Sequence, residues 1–267
     1  MSVVDLIILL CGGGAAGFLA GFFGVGGGII LVPLLLLFYQ GSGVSSLVAT
    51  HLAFGTSLLI IVFASGSSAL RYSRNRLVAW KAVAYLGAGS VLGGLGGSVI
   101  AGGMDGRTLR QIFAVIMLLS AIQLIGKIKK GKNDQTPDAF PPALMLSGVF
   151  VGLVSSLAGV GGGVLAIPIL HSVFRFPFKK ALGTSSATIV VTALAAGLGY
   201  VIQGWGNPSL PPSTFGFVDF LHAAPMIIGS IPLAVVGANV AHGTDPRRLT
   251  GIFAVLLVVV ALRLLFF

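Results

Sequence analysis

Phe23-Gly24-Val25-Gly26-Gly27-Gly28-Ile29-Ile30-Leu31-Val32-Pro33 decides the reading of this chain, because its glycine core returns letter for letter as Gly159-Val160-Gly161-Gly162-Gly163. Each copy sits in an apolar stretch, and each is followed five residues later by a proline, Pro33 and Pro168. Glycine-rich interruptions at matching places in two halves of a hydrophobic chain predict two broken helices that meet inside a membrane. A secondary transporter tends to keep its substrate site at such a place.

Composition sets the solvent. Of the residues, 56 % are hydrophobic and 8 % are charged, against about 25 % charged in an ordinary soluble domain. Apolar runs of roughly 20 residues, enough to cross a bilayer, follow one another almost without pause. The chain is therefore expected to be an all-α integral membrane protein. Its net charge of +10 would suggest nucleic acid in a soluble protein. Here the Lys and Arg residues lie in short loops between spans, where they set orientation, and no nucleic-acid partner is expected. The one cysteine, Cys11, allows no internal disulfide. Asp5, with no basic residue before it, argues against a cleaved leader, so the N-terminus reads as the start of the first span.

The repeat extends beyond the glycines. Gly17–Pro33 aligns with Gly152–Pro168, Gly55-Thr56-Ser57 with Gly183-Thr184-Ser185, and Gly89–Val115 with Gly229–Val255. These pairs predict one transmembrane repeat over residues 1–126, a basic cytoplasmic linker over 127–142 and a second repeat over 143–267. The apolar segments fall at about 5–23, 27–39, 44–70, 78–103 and 107–126. Their counterparts are at about 143–158, 162–173, 181–203, 217–242 and 247–267. The pieces after the glycines reach only about 20 Å, short of the hydrocarbon core. They read as half-helices or re-entrant pairs.

Loop charge decides the topology. If the chain crosses straight through each glycine break, basic residues divide almost evenly between the two faces. If it turns back, all fall on one face except Arg107, Arg110 and Arg263. The positive-inside rule favours the second arrangement: two inverted repeats of about five elements each, basic loops in the cytoplasm and both termini outside. Corresponding loops agree. Arg71–Lys81 is basic and Gln203–Asp219 is not; Gln40–Gly43 is uncharged and Arg175–Lys180 is basic.

A helix that starts inside the membrane presents unpaired N–H groups and about half a positive charge. Glycine there lets an anion approach the backbone. The expected substrate-binding set is therefore Gly24, Gly26, Gly27 and Gly28 with Gly159, Gly161, Gly162 and Gly163. Thr56, Ser57, Thr184 and Ser185 supply hydroxyls. Two plainer roles stand beside these: close helix packing for the glycines, and back-bonding to the preceding turn for the hydroxyls. His51, one turn before Gly55, is the candidate for a coupled proton, with simple packing as its alternative. His171, His222 and His242 lie near segment ends and receive no role. Asp105 and Asp245 read as helix N-caps. Trp205 and the loop Asn207–Pro212 belong at the outer interface.

The duplicated Gly-Val-Gly-Gly-Gly…Pro and the paired Gly-Thr-Ser resemble the TauE/SafE family of membrane permeases, over essentially the whole chain. The resemblance implies transport of a small sulfur-containing anion such as sulfite, thiosulfate or a sulfonate across the cytoplasmic membrane, driven by or coupled to protons. An anion channel of the same architecture is the alternative. No enzyme is expected, since His-Glu-x-x-His, Cys-x-x-Cys and paired in-span carboxylates are missing from the sequence. Neither cofactor nor metal is called for. The expected partners are the anion and membrane lipid, with the oligomeric state left open.

Overall fold

The computed structural model describes residues 2–105 and 140–245. It also describes residues 107–109, 111, 112, 114, 115, 118, 119, 122, 248, 249, 251, 252, 254, 255, 258, 259 and 262. Most of the basic stretch 127–142 lies outside these, so only its last three residues can be compared.

The described chain is almost wholly helical: α1 (Val3–Phe23), α2 (Gly28–Gly41), α3 (Ser46–Arg74), α4 (Trp80–Gly102), α5 (Pro141–Ala158), α6 (Gly163–Pro168, continued by a π turn over Ile169–Val173), α7 (Phe178–Gln203) and α8 (Phe220–Gly243). A two-stranded hairpin, β1 (Thr214–Phe215) with β2 (Val218–Asp219), precedes α8. Helices α1, α3, α4, α5, α7 and α8 each contain a stretch long and apolar enough to cross a bilayer. The chain is an all-α integral membrane protein.

Local chemistry explains the ends. Ser2 and Asp5 form a reciprocal capping box at the start of α1. Gly24 ends α1 and Gly159 ends α5, both in the left-handed region. Past Pro168, which has no N–H to give, the helix widens and Phe174 N–H bonds to Ile169 C=O at 3.1 Å. Asp105 accepts from the N–H groups of Arg107 and Thr108, at 3.1 and 3.0 Å, and from the Thr108 hydroxyl. That hydroxyl bond comes first among the causes that hold its carboxyl below the usual range. Asp105 is thus an N-cap, and Asp245 accepts from Arg248 N–H in the same way.

The chain turns back at both glycine breaks. Gly27 lies against Ala16 and Gly12 against Leu34, so α2 runs antiparallel to α1. Gly162 lies against Val151, and Leu170 and Phe174 join Leu144 in one cluster, so α6 doubles back along α5. α2 holds 14 residues, about 21 Å of helix, and so retraces part of the 21-residue α1.

Each half packs through the other. α1 lies parallel to α8, with Gly13, Gly17 and Gly21 against the backbones of Met226, Ser230 and Ala234. α5 lies parallel to α4 through the corresponding contacts, Gly148 on Leu86 and Gly152 on Ser90. Small residues let these backbones approach closely, the usual basis of helix association in lipid. α3 and α7 cross antiparallel: Gly55 meets Tyr200, and Gly183 meets Tyr72. The Tyr72 hydroxyl donates to Gly21 C=O at 2.7 Å, and the Tyr200 hydroxyl to Ser156 C=O at 2.7 Å.

These close approaches make a prediction. A Cβ at Gly152 would overlap the Ser90 carbonyl, whereas one at the exposed Gly96 meets open space. Gly152→Ala should cost about 1–3 kcal/mol through overpacking. Gly96→Ala should be neutral or stabilising, since Ala exceeds Gly by about 1 kcal/mol in helix propensity. Thermal melting of the two variants in detergent checks this, and equal melting points would contradict the interface.

Candidate substrate site at the paired glycine breaks

The two breaks meet. A Cβ built on Gly28 would fall 2.6 Å from Val160 Cα, and one on Gly163 would fall 2.5 Å from Val25 Cα. Gly26 and Gly161 flank the same two side chains. The would-be Cβ at Gly26 lies 2.9 Å from Ile61 and 3.3 Å from Ile189, and that at Gly161 lies 2.8 and 2.9 Å from the same pair. Ile61 and Ile189 stand near the midpoints of α3 and α7, so the breaks sit at mid-length of the central helix pair. All eight glycines of the candidate set are buried.

Their backbone geometry matches in the two copies. Gly24, Gly26 and Gly27 have φ of 65, 88 and 80°; Gly159, Gly161 and Gly162 have 64, 79 and 84°. These left-handed values favour residues without Cβ. Gly27 and Gly162 are the N-caps of α2 and α6, and neither helix start receives a side-chain cap. Two helix N-termini are thereby left uncapped beside one another, the arrangement that suits an oxyanion.

The hydroxyls brace this backbone. Ser57 Oγ donates to Gly159 C=O at 2.5 Å, and Ser185 Oγ donates to Gly24 C=O at 2.9 Å. Thr56 Oγ1 accepts from Asp219 N–H, and Thr184 Oγ1 accepts from Ala79 N–H, both at 3.0 Å. Each Gly-Thr-Ser thus satisfies a glycine break contributed by the other half and the start of a helix from the other half. The Ser57 hydroxyl has one proton, which Phe54 C=O, 2.8 Å away in the preceding turn, shares with Gly159 C=O.

His51 is buried. Its Nε2 lies 3.0 Å from Ala101 C=O, its ring stacks obliquely on Phe217 at 5.1 Å, and its Nδ1 has no hydrogen-bond partner among the described residues. Residue-type reasoning passed over a different pair. Asp219, fully buried at the start of α8, lies 2.5 Å from His222 Nδ1. Its carboxylate also accepts from Leu221 N–H at 3.1 Å and His222 N–H at 3.4 Å. The signal was present as Asp-x-x-His opening an apolar run. No cluster of His, Cys, Asp or Glu among the described residues has the arrangement to hold a metal ion.

The two breaks differ in tolerance. A Cβ at Gly27 would meet the Ala16 carbonyl oxygen at 2.5 Å, whereas one at Gly162 would first meet a Val151 methyl at 2.7 Å. Both alanines incur the strain of positive φ, about 1–3 kcal/mol, but only the first also forces backbone apart. Gly27→Ala should therefore lower the melting temperature more than Gly162→Ala; the reverse order would refute the packing described.

The family profile described as "Sulfite exporter TauE/SafE" matches residues 9–264. A "Probable membrane transporter protein" of Haemophilus influenzae is 30 % identical over 212 residues, covering 79 % of this chain and 80 % of its own. A similarly named protein of Methanocaldococcus jannaschii is 28 % identical, with coverage of 80 % and 78 %. The Bacillus subtilis protein YunE is 26 % identical, with 82 % of each chain covered. No solved structure matches. Matched by the profile from its first span into its final segment, the chain belongs to the TauE/SafE sulfite exporter family and is a membrane transporter.

Proposed function

We propose that this protein is a secondary carrier that moves a small sulfur-containing oxyanion across the cytoplasmic membrane by alternating access. Its two units, 1–126 and 143–267, act as inverted repeats. The observation that carries this reading is the meeting of two uncapped helix N-termini, each led by left-handed glycines, midway along α3 and α7.

The inverted relation is supported by reciprocity. The equivalent helices α3 and α7 cross antiparallel, and every bond from one Gly-Thr-Ser to the other half has a counterpart. Antiparallel equivalents require an axis across the helices and not along them, as in inverted-topology carriers. The orientation rests on charge. Arg71, Arg74, Arg76, Lys81, Arg175, Lys179, Lys180 and Arg248 gather at one end, where Arg71 bonds Asn239 and Lys179 Nζ donates to His242 C=O at 2.5 Å. That end faces the cytoplasm.

In this conformation the breaks are shut on one another, Gly28 against Val160 and Gly163 against Val25. An open pore is a poorer fit to such packing. The anion reaches the amides of Gly26–Gly28 and Gly161–Gly163 when the units part, toward one face and then the other. Two half-charges of helix dipole then meet its charge without a Lys or Arg, whose burial would be costly. Ser57 and Ser185 keep the broken carbonyls satisfied while this happens.

The purified protein should be stabilised against heat by at least one of sulfite, thiosulfate and an alkylsulfonate, and not by choline or potassium at matched ionic strength. In proteoliposomes the same anion should show saturable flux accelerated by anion on the opposite side, and Gly26→Val should abolish it. The proposal fails if no oxyanion shifts melting, or if flux is insensitive to trans anion.

A further inference from the structure

We propose that Asp219 and His222 form a proton-binding site that couples anion movement to the proton gradient. The inference rests on the carrier reading above and identifies the group that reading leaves unnamed. The site lies at the end opposite the basic loops, in a cluster with Tyr39 and Thr56.

A carboxylate with no exposure, in a chain that lies in lipid, is expensive unless paired, and marks function by default. The fold itself contains the control. In the aligned repeats Asp219 corresponds to Ala79, His222 to Ala82 and Tyr39 to Phe174. At the Ala79 position, α4 starts with no side-chain cap, and Ala79 N–H still reaches Thr184 Oγ1 at 3.0 Å. The architecture therefore builds this helix start from alanines and a threonine. The acid, the imidazole and the phenol are additions made at one end only.

Their contacts reach α2, which starts at the first break, and α3, which braces the second. Asp219 N–H donates to Thr56 Oγ1 at 3.0 Å. The Tyr39 hydroxyl lies 3.3 Å from Thr56 Oγ1 and 3.4 Å from Asp219 Oδ2, and gives its proton to one of them. Tyr39 stands near the end of α2, the helix launched from the first glycine break. Thr56 adjoins Ser57, whose hydroxyl holds Gly159 C=O in the second break. A change of charge at Asp219–His222 thus acts on the first break through Tyr39 and α2, and on the second through Thr56 and Ser57.

Among the described residues, few groups face the pair. From α1, Asp5 lies within electrostatic reach of His222. From α2 come Tyr39 and the Phe38 ring, the latter 4.8 Å from the imidazole. Ser213 lies 3.4 Å from Asp219 Oδ1. His51, on α3, packs on Phe217 of the same hairpin and has no carboxylate contact among the described residues. His222 keeps some exposure, with 18 % of its side chain accessible, while Asp219 has none.

The step is a simple protonation. With Nδ1–H held on the Asp219 carboxylate, His222 Nε2 takes a proton from the aqueous side and the pair becomes neutral overall. Loss of that proton leaves a net negative charge in the buried cluster. The neutral pair holds Tyr39 and Thr56 together and the breaks closed; the charged pair loosens them.

The test uses the purified full-length protein in proteoliposomes, with sulfite as probe, and Asp219→Asn and His222→Gln variants. Sulfite counterflow at equal pH on both sides should stay within about threefold of wild type. Accumulation driven by an imposed pH gradient, in whichever direction wild type shows it, should fall at least tenfold. The wild-type melting temperature should fall as rising pH strips the proton from the pair, and His222→Gln should flatten that profile. Should the single variants fail to fold, the double variant Asp219→Ala/His222→Ala, which copies Ala79 and Ala82, replaces them. Gradient-driven accumulation at wild-type level, or parallel loss of counterflow and accumulation in folded variants, would overturn the proposal. If wild type shows no counterflow with sulfite, nor with thiosulfate or an alkylsulfonate in its place, yet His222→Gln still flattens the melting profile, the proton site stands and the anion reading falls.

Discussion

A helix that stops inside hydrocarbon frees carbonyl and amide groups that no water can satisfy, and each unsatisfied group costs several kcal/mol, roughly. The whole architecture answers that constraint. The carbonyl of Gly24 is met by Ser185 and that of Gly159 by Ser57, each serine coming from the other half of the chain. Neither break is tenable in isolation. The crossing of α3 and α7, the parallel pairing of α1 with α8 and of α4 with α5, and the doubling back of α2 and α6 all bring these serines to these carbonyls. The amides on the far side of each break are the ones left without a side-chain cap. On the proposed carrier reading, the anion takes up what the protein leaves open there.

Much of this was legible in the residues. Glycine and proline punctuate so strongly in an apolar chain that helix ends were recoverable to within a few positions, such as Phe23 against Gly28 and Ala158 against Gly163. The pairing of the breaks followed from the letter-for-letter repeat. The role of the hydroxyls did not. Recurrence of Gly-Thr-Ser pointed to a shared task, but reciprocal exchange between halves depends on contacts separated by more than a hundred residues, to which local periodicity is blind. Asp219 was hidden for a related reason. It reads as the last residue of a polar loop, and only the tertiary fold buries it under Tyr39 and Thr56.

The two ends of the molecule share a scaffold and differ in chemistry. Phe217 C=O closes over Gly55 at one end, and Leu77 C=O closes over Gly183 at the other. Beside the first closure stand an acid, an imidazole and a phenol; beside the second stand Ala79, Ala82 and Phe174. On the proposed carrier reading, the repeat would give two exchangeable conformations of similar energy, as alternating access requires. On the same proposal, the departure from symmetry at Asp219 and His222 lets the proton concentration on one side bias them.

The most direct measurement is a structure of the protein bound to selenite, whose selenium locates the anion without ambiguity. The account places it between the two breaks, within about 3 Å of amide nitrogens at the starts of both α2 and α6, with Val25 and Val160 drawn apart to admit it. Selenium found in another cavity while Gly28 still packs on Val160 and Gly163 on Val25 would contradict it.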